Sequence, residues 1–274
     1  MKITFSMHEE IQDIRLTDQN IQDIICCPGG KELEGKSLKG DIKKTLSWRM
    51  DMIEEGMTGF VSYKVDEPLG FIEYIPAESA PFPVHAPDDI FLMCYHWVGD
   101  GEHLEEERRL ISLVIEDVMD RYSGISAFAW NHSTHFPGSL LKTFGFEVIE
   151  ELKNGSLMWL PFEEDSKKPE LLGENYEPKD LSQEGKLVIE QGYSHRCPYS
   201  IHHQNRINEL VKDIDDERII YESHAIDSHE DSLKYTIEPL SWEWLYMNAG
   251  EVDHFFMSTE ELRKEILNFL KELD

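Results

Sequence analysis

Two short stretches carry side chains whose types and spacing could do chemistry. In HRCPYS, Cys197 stands directly before Pro198 and three residues ahead of Ser200, at what reads as the start of a helix. A thiol there meets the positive end of the helix dipole, which favours the nucleophilic thiolate. A serine occupies the place of a resolving thiol, so the chemistry open to Cys197 is a mixed disulfide or another monothiol reaction. In VGDGEHLEEERR, Gly99 and Gly101 lead into a helix whose start carries Glu102, Glu105, Glu106 and Glu107, followed by Arg108 and Arg109. A glycine loop feeding a helix N-terminus suits a phosphate. The carboxylates occupy the electrostatic place that a phosphate would take. At 4 Å such a pair repels by about 1 kcal/mol in water and about 4 kcal/mol at an effective dielectric of 20.

Acid–base candidates lie elsewhere. His132 and His135 in NHSTHFPG sit in a loop before a short helix, and Glu73 lies on the strand of GFIEYIP. Each could move a proton if it faced a reacting amine. Cys94 and His96 lie on the apolar run DDIFLMCYHWV, where Cys94 reads as a small core residue. His195, Cys197, His202 and His203 also invite a metal reading. Their spacing fits no standard zinc pattern, and His202 and His203 point to different helix faces, so no metal site is expected.

The elements that must position these groups can be read from periodicity. DIRL is a strand, and TDQNIQDIICC and SLKGDIKKTLSWRMDMIEEG read as helices. TGFVSYKV and GFIEYIPA form a hairpin around DEPLG, and DDIFLMCYHWV is a long apolar strand. The helix after it places Leu110, Ile111, Val114, Ile115, Val118 and Tyr122 on one face. ISAFAW is a strand, FPGSLLKTFG a short helix, and FEVIEEL and SLMWLPF an antiparallel pair around KNG. Residues 163–180, polar and interrupted by Pro169, Gly173 and Pro178, read as a linker between domains 1–162 and 181–274. Beyond it, the order is strand GKLVIEQG, a helix from CPYS, strand RIIYESHAI, a loose segment, a hairpin turning near residues 248–250 and a last helix capped by Ser258 and Glu261. The expected class is α/β with a mixed sheet (α+β in character), followed by a smaller α/β domain.

The 274 residues carry 55 acidic and 26 basic side chains, a formal net charge of −29. That charge repels nucleic acid and anionic membranes and attracts a cationic or amine-bearing partner. The start has no signal-peptide pattern, so reduced thiols and a cytoplasmic location are expected.

With IRLTDQNI at the first strand and helix, GFIEYIP ending the hairpin, the DDIFLMCYHWV strand with its helix, and LLKTFGFE, residues 13–162 resemble the GNAT superfamily of N-acetyltransferases. The C-terminal region, with CPYS at its first helix, looks thioredoxin-like, and the combination is similar to YoaP-type two-domain proteins. The resemblance implies acetyl-CoA as co-substrate, bound where two central strands splay, and a small amine or peptide as acceptor. It assigns Tyr95, His96, Trp97, Val98, Gly99, Gly101, Arg108 and Arg109 to the acetyl-CoA side, and Glu73, His132, His135 and Cys197 to catalysis. Two departures stand out. In one register the Arg or Gln of the family's phosphate loop falls on Glu102 and its two small residues on Glu105 and Glu107; in a slid register the small pair is Gly99 and Gly101, with His96 in place of the usual Arg or Gln. The family's tyrosine acid is Leu141. These departures also suit a non-catalytic, GNAT-derived binding or sensing protein, and Cys197 leaves open a monothiol redox protein.

Overall fold

The computed structural model describes residues 11–24, 32–33, 36–97, 104–131, 136–173, 176–241 and 243–273, with backbone only for residues 32–33, 36–37, 96–97 and 104. The chain divides into two compact units. One comprises Met1–Pro28, Arg49–Glu78 and Ala86–Glu170, and the other Gly29–Trp48, Ser79–His85 and Leu171–Asp274. Among the described residues no helix is long and apolar enough to cross a membrane.

The first unit is a mixed seven-stranded sheet. Its strands are β1 (Ile11–Arg15), β2 (Thr58–Lys64), β3 (Glu67–Pro76), β4 (Asp89–Trp97), β5 (Gly124–Trp130), β6 (Glu147–Leu152) and β7 (Gly155–Pro161), in the order β1-β2-β3-β4-β5-β7-β6. Only β4 and β5 pair in parallel, as the intervening helix α2 (Leu104–Val118) requires. The face of α2 expected to be apolar is apolar and buried: Leu110, Ile111, Val114 and Val118 pack with Ile72, Tyr74, Ile90 and Leu92. Burying each such side chain contributes roughly 1.5–3 kcal/mol. Helix α1 (Lys39–Glu54) has residues in both units, the division falling between Trp48 and Arg49. The short helix α3 (Gly138–Lys142) follows β5. The helix expected over TDQNIQDIICC is only a 3-10 turn at Ile21–Ile24, and Cys26 and Cys27 lie outside the described residues.

The second unit has a four-stranded sheet of β8 (Leu187–Tyr193), β9 (Ile219–Ala225), β10 (Trp244–Met247) and β11 (Gly250–Glu251), in the order β9-β8-β10-β11. β8 and β9 are parallel, joined by α4 (Pro198–Ile214), whereas β10 runs antiparallel to β8. The hairpin turns at Asn248 and Ala249, both at positive φ, as a tight two-residue turn requires. The Asn248 side chain also accepts from Val188 N and donates to Lys186 O, tying the turn to β8. The last helix, α6 (Thr259–Glu272), starts on the expected Ser258–Glu261 capping box. The loose segment before the hairpin contains a helix that periodicity did not reveal, α5 (His229–Tyr235), which begins with a second capping box formed by Ser228 and Asp231.

Candidate active site

In the first unit, β4 and β5 stay paired only from Asp89–Gly124 to Leu92–Ala127. β4 continues to Trp97, still paired with β3, so its other edge parts from β5 beyond Leu92. A β-bulge falls at the same place. Tyr74 opposes Leu92 while Glu73 opposes Cys94, leaving Met93 as the extra residue. A bulge bends its strand and increases its twist, which accounts for the divergence. It also shifts the side-chain alternation by one position. Ile90 and Leu92 face α2; without the bulge Cys94 and His96 would follow, but Tyr95 takes that face instead. Cys94 shares the opposite face with Glu73.

Tyr95 is 5% exposed, and its hydroxyl makes no hydrogen bond of proper geometry among the described residues. Its ring lies 5.7 Å from that of Phe136, which is also buried. Burial, together with Glu107 close by and Glu106 beyond it, pushes the phenol well above its ordinary range, so it remains protonated.

The first turn of α2 sorts its carboxylates. Glu105 is exposed, whereas Glu107 is half-buried and acts on Tyr95. Arg109, assigned above to the acetyl-CoA side, is turned elsewhere. Its Nε lies 2.9 Å from Asp13 Oδ2, and its Nη2 donates to Ser62 Oγ at 3.2 Å. The guanidinium thus ties α2 to β1 and β2 and does not reach back over its own N-terminus. Arg108 is half-buried and forms no ion pair among the described residues. In the last turn of α2, Asp117 accepts from the Tyr74 hydroxyl and pairs with Arg15 and Arg121. Burial opposes its ionisation, but those donors and charges outweigh it and hold Asp117 below the usual carboxylate range.

Glu73 does not stand open to an acceptor. It is 1% exposed and clamped by Arg49 of α1, with Nε 2.9 Å from Oε1 and Nη2 3.2 Å from Oε2. Arg49 also donates to Ile24 O. A carboxylate held at both oxygens by a guanidinium is an anchor, which corrects its reading as a base. Leu141 is fully buried core. His132, His135, Val98, Gly99, Gly101 and Glu102 lie outside the described residues, as do the side chains of His96 and Trp97.

In the second unit Cys197 is the N-cap residue of α4, as expected. Burial pushes the thiol pKa up, and the Tyr199 and Ser200 N–H groups pull it back only in part. The expected dipole-driven thiolate is thus corrected: desolvation outweighs the helix end. Ser200, in the resolving position, is buried, and its Oγ accepts from Ser194 N at 3.0 Å. His202 and His203, expected on different faces, find different partners. The His202 ring faces Asp41 at 3.9 Å, and His203 Nδ1 lies 2.6 Å from Glu243 Oε1. Glu243 and His254 sit 40 and 51 residues beyond His203, a separation no local motif could have signalled.

No family model matches the chain. Over 269 residues it is 24% identical to an uncharacterised N-acetyltransferase, YoaP, of Bacillus subtilis (strain 168), covering 94% of this chain and 98% of that protein. That similarity runs along nearly the full length of both chains. Among solved structures, the chain is similar to yncA, a putative acetyltransferase from Salmonella typhimurium with acetyl-CoA. There the identity is 12% and the TM-score 0.42, over 57% of this chain and 96% of that one. It is also similar to the Campylobacter jejuni N-acetyltransferase PseH in complex with acetyl coenzyme A, at 12% identity and a TM-score of 0.40, over 56% of this chain and 99% of that one.

Proposed function

We propose that the first unit is a GNAT-type N-acetyltransferase transferring the acetyl group of acetyl-CoA to the amine of a small-molecule or peptide acceptor. The observation that carries this reading is the coincidence of bulge and splay after Leu92. It frees a row of β4 backbone N–H and C=O groups that an extended amide chain such as pantetheine can pair with. The full-length similarity to YoaP is the second support. The fit is good at the pantetheine end and poor at the phosphate end, where Glu105 and Glu107 stand and Arg109 is engaged with Asp13.

The thioester supplies the activated acyl group. The chain supplies the strand edge that orients it and a protonated Tyr95 hydroxyl, the donor in the place left empty by Leu141. Glu73 serves this site as a positioning residue, holding α1 to β3 through Arg49. The acidic charge of the chain favours a cationic acceptor. The chain is read as a cytoplasmic protein. Its second unit is read as thioredoxin-like, on the β8-α4-β9 parallel crossover, the antiparallel β10–β11 pair and Cys197 at the start of α4.

One observation favours a non-catalytic binder instead: Arg109, close to the phosphate turn, is spent on β1 and β2. A thiol-release assay with acetyl-CoA and a panel of amines separates the two readings. Turnover should occur, and Tyr95→Phe should lower kcat by about 10²-fold, in the range of a lost general acid, with little change in stability. Acetyl-CoA binding without thiol release from any amine supports the binder. Neither binding nor release overturns both.

A further inference from the structure

We propose that His203, Glu243 and His254 form a site for a divalent first-row transition ion of the zinc class, separate from the acetyl-transfer site. The three residues come from α4, the segment entering β10 and the segment after β11. One ligand atom from each lies within 4.8 Å of the other two. All three side chains are buried, between 2% and 7% exposed. Two imidazoles and one carboxylate are a donor set that zinc and its neighbours favour, with a further position left for water or substrate.

The histidine contacts converge on one carboxylate oxygen. His254 Nδ1 contacts Val252 O at 3.3 Å. A carbonyl oxygen only accepts, so Nδ1 carries the proton. In the neutral ring, Nε2 is then a lone pair, and it points at Glu243 Oε1 from 3.1 Å. Acceptor facing acceptor is unfavourable, so either a second proton on the ring or a metal ion must lie between the two atoms. An N–H directed at a backbone carbonyl is also the usual way in which a metal-bound histidine is oriented. His203 Nδ1 lies 2.6 Å from the same oxygen, so both rings converge on one point.

The geometry needs little adjustment. At metal–ligand distances of about 2.0–2.2 Å, tetrahedral ligand atoms stand roughly 3.3 Å apart. The separations of 2.6 and 3.1 Å would open by less than about 1 Å. Access exists from both sides. Glu243 and His254 line a pocket of about 460 Å³ with Trp244 and Asp253, and His203 lines another of about 470 Å³ with Tyr199 and Arg206. A second carboxylate–histidine group among the described residues, Glu190, Glu222 and His224, is closed off differently. Its atoms are taken up by Tyr176 and Lys179, with Tyr176 Oη 2.5 Å from Glu190 and 3.0 Å from His224, and Lys179 Nζ 2.5 Å from Glu222.

The test uses the full chain, stripped with chelator and titrated with Co²⁺ and then Zn²⁺. One equivalent of Co²⁺ should bind with visible d–d bands, and Zn²⁺ should displace it. His254→Ala and Glu243→Gln should each weaken binding at least tenfold, while Glu222→Gln should leave it unchanged. No stoichiometric binding, binding that survives His203→Ala with His254→Ala, or loss in Glu222→Gln alone would overturn the proposal. Should a ligand variant not fold, X-ray absorption on the Zn²⁺-loaded wild-type chain decides. Imidazole scattering from two rings supports the site, and a sulfur-dominated shell overturns it.

Discussion

Asp89 shows how far one residue's environment can depart from its type. Asp89, at the head of an apolar strand, is only 2% exposed. Oδ2 accepts from Ser126 Oγ at 3.1 Å and Trp159 Nε1 at 2.9 Å, while Oδ1 is buried with no hydrogen bond among the described residues. Gly124 makes room for this contact: a Cβ there would come within 2.6 Å of Trp159 Nε1. Burial outweighs the two donors and pushes Asp89 up to about 6. A carboxyl whose folded pKa is raised stabilises the fold fully below its unfolded value near 4, and that stability is lost as pH rises through 6. Asp89→Asn keeps an acceptor for Ser126 and Trp159 and removes the charge. It should raise stability at pH 7.5 by about 1–3 kcal/mol, and by much less at pH 4, in urea unfolding at the two pH values. A variant less stable than wild type at pH 7.5 would mean that the ionised form is better served than its geometry indicates.

At the scale of an element, α2 has to satisfy two demands at once. Its first turn gains roughly 0.3–1 kcal/mol from each carboxylate placed against the dipole. The same turn borders the parted strands, where a phosphate would be repelled. The structure distinguishes the glutamates: Glu107 acts on Tyr95, and Glu105 faces solvent. Glu107→Gln should therefore tighten acetyl-CoA binding severalfold and lower the unliganded Tm slightly. Glu105→Gln should change binding less, because its charge is screened by water. A thermal-shift titration reads both quantities, since a ligand that prefers the folded state raises Tm with its concentration. A larger gain from Glu105→Gln would place the phosphates on the outer side of the turn.

For the whole molecule, the segment read as a linker, residues 163–180, is tied down in several places. Ser166 Oγ donates to Ser123 O, Leu172 N donates to Pro83 O, and the Tyr176 ring stacks on Trp244 at 5.4 Å. Between these anchors, Lys167 and Lys168 are exposed. Brief trypsin treatment should cut first after Lys167, since proteolysis selects exposed backbone with few anchors. Gly29–Trp48 and Ser79–His85 belong to the same unit as Leu171–Asp274, so the two fragments should co-elute on size exclusion until denatured. Fragments that separate under native conditions would favour two domains that are each continuous in sequence.

The sequence by itself determined the elements whose stability is local or periodic. The α2 stripe of Leu110, Ile111, Val114 and Val118, the Ser258–Glu261 cap and the turn at Asn248 are written in neighbouring residues, because helix faces, caps and tight turns depend on offsets of a few positions. Part of the candidate site was legible for the same reason: the long strand, the helix after it and the acidic turn between them are contiguous. What tertiary structure decided was which side chains meet. Strand alternation gives no sign of an extra residue at Met93, and that bulge alone puts Tyr95 on the α2 face that simple alternation from Ile90 and Leu92 would give to Cys94 and His96. Glu73 looked like a base until Arg49, from another element, closed on it. Cys197 has the helix start that lowers a thiol pKa, but burial, which depends on the rest of the fold, reverses the sign. His203, Glu243 and His254 became neighbours only because β10 pairs beside β8 and brings Glu243 and His254 back to α4. Each of these outcomes depends on contacts between residues distant in the chain, and no spacing rule encodes such contacts.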